Sequence, residues 1–177
     1  MLPLDIHLVE ASTADEIERI RLLMKPDEVW RSLAYLSWPE RETWSLAFER
    51  QERAAFFVTH SSDKVVGFLL NGLKRFKDWG YVEFVVAITD QKYRRKGYGW
   101  QTLGLGMEIW FARGASVCWC YYSLSNPGSV GMARAIHSPD MEGGPQLMTC
   151  VDGDQPAKAG SFTRAQWEQT KKKIGWV

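Results

Sequence analysis

The hydrophobic and polar positions change period along the chain, and each change marks an element. Ile6 to Val9 is a short apolar run that reads as a first strand. At Ser12-Thr13-Ala14-Asp15 the pattern turns helical. Thr13 stands at a cap position, and Asp15 and Glu16 fall in the first turn, where unpaired N–H groups favour acidic side chains. The helix should run to about Met24, because Pro26 cannot continue it. Asp27 to Arg53 keeps helical character, with a break near Trp38-Pro39. The period then becomes that of strands. Ala55 to Thr59 and Lys64 to Asn71 flank the turn Ser61-Ser62-Asp63 and predict a hairpin. Asp78-Trp79-Gly80 turns the chain again, and Tyr81 to Thr89 is an almost unbroken β-rich run, as in a strand covered on both faces. Trp100 to Ala112 is the next helix, closed by Gly114. Ser116 to Leu124 is a further buried strand, and a short helix follows around Ser129 to Ile136. Ser138 to Gly160 is rich in Gly, Pro and Asp turns around one strand, Gln146 to Val151. Ser161-Phe162-Thr163-Arg164 then caps a last helix to about Lys173. This order predicts the α/β (α+β) class, with a mixed, mostly antiparallel central sheet, one parallel neighbour pair and flanking helices.

Composition narrows the function classes. The 177 residues are 45% hydrophobic, enough to bury a core and consistent with one domain over residues 1–177. A formal charge of +1 argues against nucleic acid or an anionic membrane as the main partner. Lys74-Arg75-Phe76-Lys77 and Lys171-Lys172-Lys173 read as solvated faces. Three cysteines, two of them at 118 and 120, suit reduced thiols in a cytoplasmic protein rather than a disulfide framework. His7, His60 and His137 are isolated, so no metal site is expected. The N-terminus lacks the basic flank and apolar stretch of a signal peptide, and no membrane span is visible.

The candidate chemistry lies in Val82 to Trp100. A buried strand ends, a basic glycine-bearing loop follows, and a helix starts at once. The first N–H groups of a helix have no internal partner, and the helix dipole adds positive potential there. Gly97 and Gly99 let the backbone curl around phosphate oxygens without a Cβ in the way. A basic surface turn is the plain alternative. The spacing Arg94-x-x-Gly97-x-Gly99 lacks the Gly-Lys-Ser/Thr of a Walker loop and the third glycine of a dinucleotide fingerprint.

Tyr93-Arg94-Arg95-Lys96-Gly97-Tyr98-Gly99 resembles the acetyl-CoA loop of the GCN5-related N-acetyltransferases (GNAT), whose pattern is Gln/Arg-x-x-Gly-x-Gly/Ala. The order of elements resembles that family along most of the chain. The resemblance implies that acetyl-CoA is the acyl donor. It implies that the main chain of Ala87, Ile88 and Thr89 pairs with the pantetheine arm. Arg94, Arg95, Lys96, Gly97, Tyr98, Gly99 and Trp100 would surround the pyrophosphate, held by the amides of Arg95 to Trp100. Asn126 would lie near the cofactor. A β-bulge near Val86–Ile88 would polarise the thioester carbonyl. Glu83, eleven positions before Arg94, stands where several members place a catalytic Glu. A carboxylate in an apolar strand is costly unless paired or useful. Glu83 therefore reads either as the general base for an amine acceptor or as half of a salt bridge.

The chain departs from the family at Ala133, seven residues after Asn126, where members that protonate the departing thiolate usually carry Tyr. Tyr121 and Tyr122 are the substitute candidates; on a strand they point to opposite faces, so one at most meets the cofactor. Trp30, Trp38 and Trp44 are candidates for core packing or for an aromatic wall around the acceptor. The resulting expectation is acetyl transfer to an amine, small molecule or protein, by direct attack in a ternary complex. An acyl-CoA-binding module with little or no turnover is the alternative, and homodimer formation stays open.

Overall fold

The computed structural model describes residues 5–24, 41–61, 63–76, 79–140, 146–148 and 155–176. In chain order the elements are β1 (Ile6–Glu10), α1 (Ala14–Leu23), α2 (Arg41–Glu49), β2 (Arg53–His60), β3 (Val65–Phe76) and β4 (Trp79–Ile88). A 3-10 turn (Gln91–Tyr93) leads to α3 (Tyr98–Ala112), β5 (Val117–Ser123), α4 (Pro127–Ala135), β6 (Gln146–Met148), β7 (Gln155–Thr163) and α5 (Arg164–Ile174). The strands form one sheet in the order β1-β2-β3-β4-β5-β7-β6. Every neighbour pair is antiparallel except β4 and β5, which run parallel. A parallel pair needs a crossover, and α3 supplies it. The expected mixed, mostly antiparallel sheet with one parallel pair is the sheet observed.

Local chemistry sets the elements. Thr13 and Glu16 close α1 with a reciprocal capping box, and Thr163 and Gln166 do the same for α5. Alternation along β4 splits its side chains between two cores. Val82, Phe84 and Val86 pack with Leu103, Met107 and Phe111 of α3. Val85 and Ala87 pack with Ile20 and Met24 at α1. The apolar run from Tyr81 is thus covered on both faces. Gly106 lets α3 lie low on the sheet: a Cβ there would stand 2.7 Å from Leu69 Cδ2 and from Phe84 Cε1. Trp100, Trp167 and Trp176 form a ring cluster beside α3, with centroids 5.9 and 5.4 Å apart. Trp30, Trp38 and the side chain of Trp44 lie outside the described residues.

Several boundaries differ from expectation. Helix does not continue to Arg53: α2 ends at Glu49, Gln51 turns the chain at φ +56°, and Arg53 opens β2. Residues 25–40 lie outside the described set. β3 runs on to Phe76, and Trp79 and Gly80 belong to β4 rather than to a turn. The larger correction is β7, a nine-residue strand in a stretch read as mostly turns. Its Pro156 and Gly160 imitate turn residues. Pro156 stands second in the strand, where its carbonyl still accepts from Leu124 N–H at 2.9 Å. Gly160 marks a close approach, since a Cβ there would fall 2.0 Å from Ser138 Oγ. Among the described residues no helix is long and apolar enough to cross a membrane.

Candidate functional site

The site begins where β4 and β5 separate. Their ladder consists of Tyr81–Val117, Val82–Cys118 and Glu83–Trp119. Beyond it, β4 continues against β3 to Ile88 while β5 continues against β7 to Ser123. A wedge therefore opens between Phe84–Ile88 and Cys120–Ser123. Gly80 O accepts from Ser116 N–H on the β5 side, and Thr89 N–H donates to Val66 O on the β3 side. Strand alternation then turns the main-chain groups of Val86 and Ile88 toward the wedge and those of Ala87 toward β3. Of the three residues expected along the pantetheine arm, Ile88 alone faces the wedge, and Val86 joins it. The expected bulge near Val86–Ile88 is absent: the β3–β4 register runs unbroken from Gly67–Ile88 to Phe76–Trp79. The register shift lies instead between Val58 and Thr59 of β2. Strand separation, not a bulge, turns these amides out.

The loop after β4 is fixed at both ends. Asp90 caps the 3-10 turn through Lys92 N–H at 2.9 Å and pairs with Lys64 at 2.5 Å. The Lys64 ammonium holds the Asp90 carboxyl below the usual carboxylate range. Tyr93 and Tyr98 pack edge to face at 5.3 Å, and Tyr93 lies 5.1 Å from His60. Arg94 reaches backward: Nε donates to Ile88 O at 2.9 Å and Nη2 to Thr89 O at 3.1 Å. Its guanidinium thus ties the loop to the end of β4, a use of its planar fork that the sequence does not reveal.

Arg95 at φ +59° and Gly97 at φ +89° then curl the backbone into α3. Gly97 is the helix cap and makes no side-chain cap bond. The first intrahelical donor from this point is Gln101 N–H, to Gly97 O at 3.2 Å. The amides of the preceding turn are left for an external acceptor. Gln101 is itself buried beside the loop, and its Oε1 has no hydrogen-bond partner. A cradle of unspent amides with two left-handed residues suits a polyanion such as a pyrophosphate.

Glu83 sits at the foot of the wedge, half-buried. Its carbonyl accepts from Asn71 Nδ2 at 3.3 Å, and Asn71 Oδ1 accepts from Trp110 Nε1 at 3.0 Å. Its carboxylate lies over Gly72, where a Cβ would stand 3.2 Å from Oε2. No salt bridge or hydrogen bond joins that carboxylate to another described residue. Arg53, Gly72, Glu83 and Trp119 form one cross-strand row on one face. Tyr121 follows on that face, edge-on to Trp119 at 4.9 Å. Lys74, two residues from Gly72, extends its ammonium to 5.7 Å from the Trp119 ring. Gly72, Trp119 and Gln101 were not singled out from the sequence, and Lys74 was read only as part of a solvated face; a glycine inside a strand pattern was the available signal.

The opposite face of β5 carries Cys118, Cys120 and Tyr122. Burial pushes the Cys120 thiol up to about 12, with the Glu83 charge adding to the effect. The Tyr122 hydroxyl donates to the Asp140 carboxylate, which also accepts from Lys158 Nζ at 2.7 Å. Burial first, and then this bond, raise the Tyr122 hydroxyl above its ordinary value. Asn126 caps α4, its Oδ1 accepting from Gly128 N–H at 3.0 Å and Ser129 N–H at 3.4 Å. Ala133 is buried on α4. Among the described residues no three His, Cys, Asp or Glu side chains converge as a metal site would need.

Known proteins share this fold. The fold resembles a spermidine N-acetyltransferase from Vibrio cholerae in complex with CoA and spermine, with a TM-score of 0.75 at 12% identity over 93% of this chain and 98% of that one. It resembles a probable acetyltransferase (GNAT family) from Chromobacterium violaceum, with a TM-score of 0.70 at 17% identity over 94% and 92%. It also resembles RimL, a ribosomal L7/L12 alpha-N-protein acetyltransferase in complex with coenzyme A, with a TM-score of 0.66 at 14% identity over 92% and 96%. At these identities the likeness is one of fold. No curated protein matches the chain in sequence. The model of the acetyltransferase (GNAT) family matches residues 17–137, more than half of the chain and the whole of the wedge and loop. The chain therefore belongs to the acetyltransferase (GNAT) family.

Proposed function

We propose that the protein transfers an acetyl group from acetyl-CoA to an amine by direct attack, with Glu83 as general base. The observation that carries this reading is the Glu83 carboxylate, unpaired among the described residues at the foot of the β4–β5 wedge. An acceptor that arrives as an ammonium must lose a proton before its nitrogen can attack, and an unspent carboxylate beside the reacting carbon can take it, directly or through one water. The wedge-facing N–H groups of Val86 and Ile88 and the Val86 carbonyl serve the pantetheine arm and the thioester carbonyl, the Ile88 carbonyl being taken by Arg94 Nε. The amides from Arg95 to Trp100 hold the pyrophosphate. Asn126 spends its oxygen on α4, which leaves only its NH2 group for the cofactor.

The departing thiol needs little help. A thiol of ordinary pKa, about 8.5, leaves as thiolate at modest cost. Tyr122, committed to Asp140 and weakened as an acid, is a poor proton donor. Tyr121, on the face of Glu83, is the better placed of the two. The buried Ala133 also supports a second reading, an acyl-CoA-binding module with little turnover. The free, buried Cys118 and Cys120 support work in the reducing cytoplasm.

The test is thiol release from acetyl-CoA against a panel of amines. Glu83→Gln keeps the shape and removes the basicity, and kcat should fall by about 10² to 10⁴. Full activity in that variant would remove Glu83 from the chemistry. Binding without any thiol release in the wild type would favour the binding module.

A further inference from the structure

The face that carries Glu83 also carries positive charge with no ion-pair partner among the described residues, and the two are not matched to each other. Glu83 and Lys74 share that face, on adjacent strands and one cross-strand row apart. No salt bridge joins them. Lys74 is exposed, and the contact that holds its ammonium is the Trp119 ring at 5.7 Å. Trp119 is held edge-on by Tyr121 at 4.9 Å, so the platform under the ammonium is buttressed from the wedge side. Gly72 leaves the strand bare between the charges, which lets the Glu83 carboxylate lie across it; any Cβ there would press on Oε2 at 3.2 Å.

We propose that the acceptor is a small amine bearing an anionic group a few bonds from its nitrogen, a carboxylate or a phosphate. This rests on Glu83 as the base. The amine nitrogen lies at Glu83 and the anionic group at Lys74, so the acceptor replaces the missing ion pair with two. An acceptor of this kind has the mirror charge pattern of the face. A polyamine has the wrong one: its second ammonium would stand against Lys74, where like charges repel. A neutral amine satisfies Glu83 and leaves Lys74 unmatched. Lys74 is thus a specificity-determining residue, acting on acceptor choice rather than on the bond-making step.

The experiment compares matched pairs under saturating acetyl-CoA. β-Alanine is set against β-alaninamide, O-phosphoethanolamine against ethanolamine, and spermidine is measured alone. The anionic member of at least one pair should have a kcat/KM about tenfold to a hundredfold above its neutral partner, a difference of roughly 1.4 to 2.8 kcal/mol. The pair that shows it tells carboxylate from phosphate. Lys74→Gln should bring that ratio close to one, mainly through KM. Lys74→Arg should keep it, and Lys74→Glu should shift preference toward spermidine. Raising the ionic strength should lower the ratio, because Lys74 is exposed. Ratios at or below one in the wild type, spermidine as the best acceptor, no turnover with any member, or a Lys74→Gln enzyme with an unchanged ratio would each overturn the proposal. Failure of the base is read separately: Glu83→Gln should lower kcat for all acceptors alike, whichever member of a pair is preferred.

Discussion

Replacing Gly97 by alanine probes the loop with a single carbon. Gly97 caps α3 at φ +89°, where the added Cβ costs about 1–2 kcal/mol. The same Cβ would stand 2.9 Å from Trp100 Nε1, and that indole packs on Trp176 at 5.9 Å, which limits its retreat. At about 2–4 °C per kcal/mol for a chain of this size, the ligand-free melting temperature should fall by roughly 2–8 °C. Acetyl-CoA at about 100 times its Kd should add roughly 2.7 kcal/mol to the wild type, or about 5–11 °C. If the cradle is disturbed enough to weaken binding tenfold, the same ligand concentration adds only about 1.4 kcal/mol. Differential scanning fluorimetry with and without acetyl-CoA measures both effects in one plate. A variant that melts lower but keeps the full ligand shift would show that the backbone at Gly97 is not what holds the phosphates. A wild type with no ligand shift would remove the donor-binding reading altogether.

Two further variants separate the tyrosines of β5. Tyr121→Phe, on the face of Glu83, should lose about tenfold in kcat, less than the roughly 10² to 10⁴ of a dedicated acid or base. Tyr122→Phe should lower the melting temperature and leave kcat near that of the wild type, since its hydroxyl is spent on Asp140; a thousandfold kcat loss in either would reveal a dedicated acid. Asp140 is held below its ordinary 3.8 by Lys158 first and by Tyr122 second. A depressed carboxyl adds stability above its unfolded value, and that stability is lost as pH falls through the folded value. Asp140→Asn should therefore flatten the acid limb of a melting profile below about pH 4, where a carboxylate normally titrates, and an unchanged limb would contradict the pairing.

Much of the fold was legible because its signals are local. The capping pair Thr13–Glu16, the two-faced run of β4 and the basic glycine loop each declare themselves within a few residues. β7 was hidden because Pro156 and Gly160 carry the chemistry of turns, and the reason each is tolerated lies in distant partners, Leu124 and Ser138. The site was legible in part for the same reason. Arg94 looked like a phosphate ligand, and only the path of the chain reveals that its guanidinium returns to Ile88 and Thr89. The end of the β4–β5 ladder at Glu83–Trp119 is a property of register between strands joined by a whole helix, which no local pattern encodes.

Alternation along β4 sends its side chains two ways and its open main-chain edge a third. One set of side chains seats α3, the other packs at α1 through Val85 and Ala87 and reaches the face of Gly72, Lys74 and Trp119 at Glu83, and the edge borders the wedge. Changes on that face need not disturb α3 or the loop, so such a scaffold can diversify by exchanging a few outward residues while its spine stays fixed. Evolution can treat the two surfaces as separate parts, and so can an engineer. The shared fold fits that freedom: it persists at 12% and 14% identity, where few outward residues can be the same.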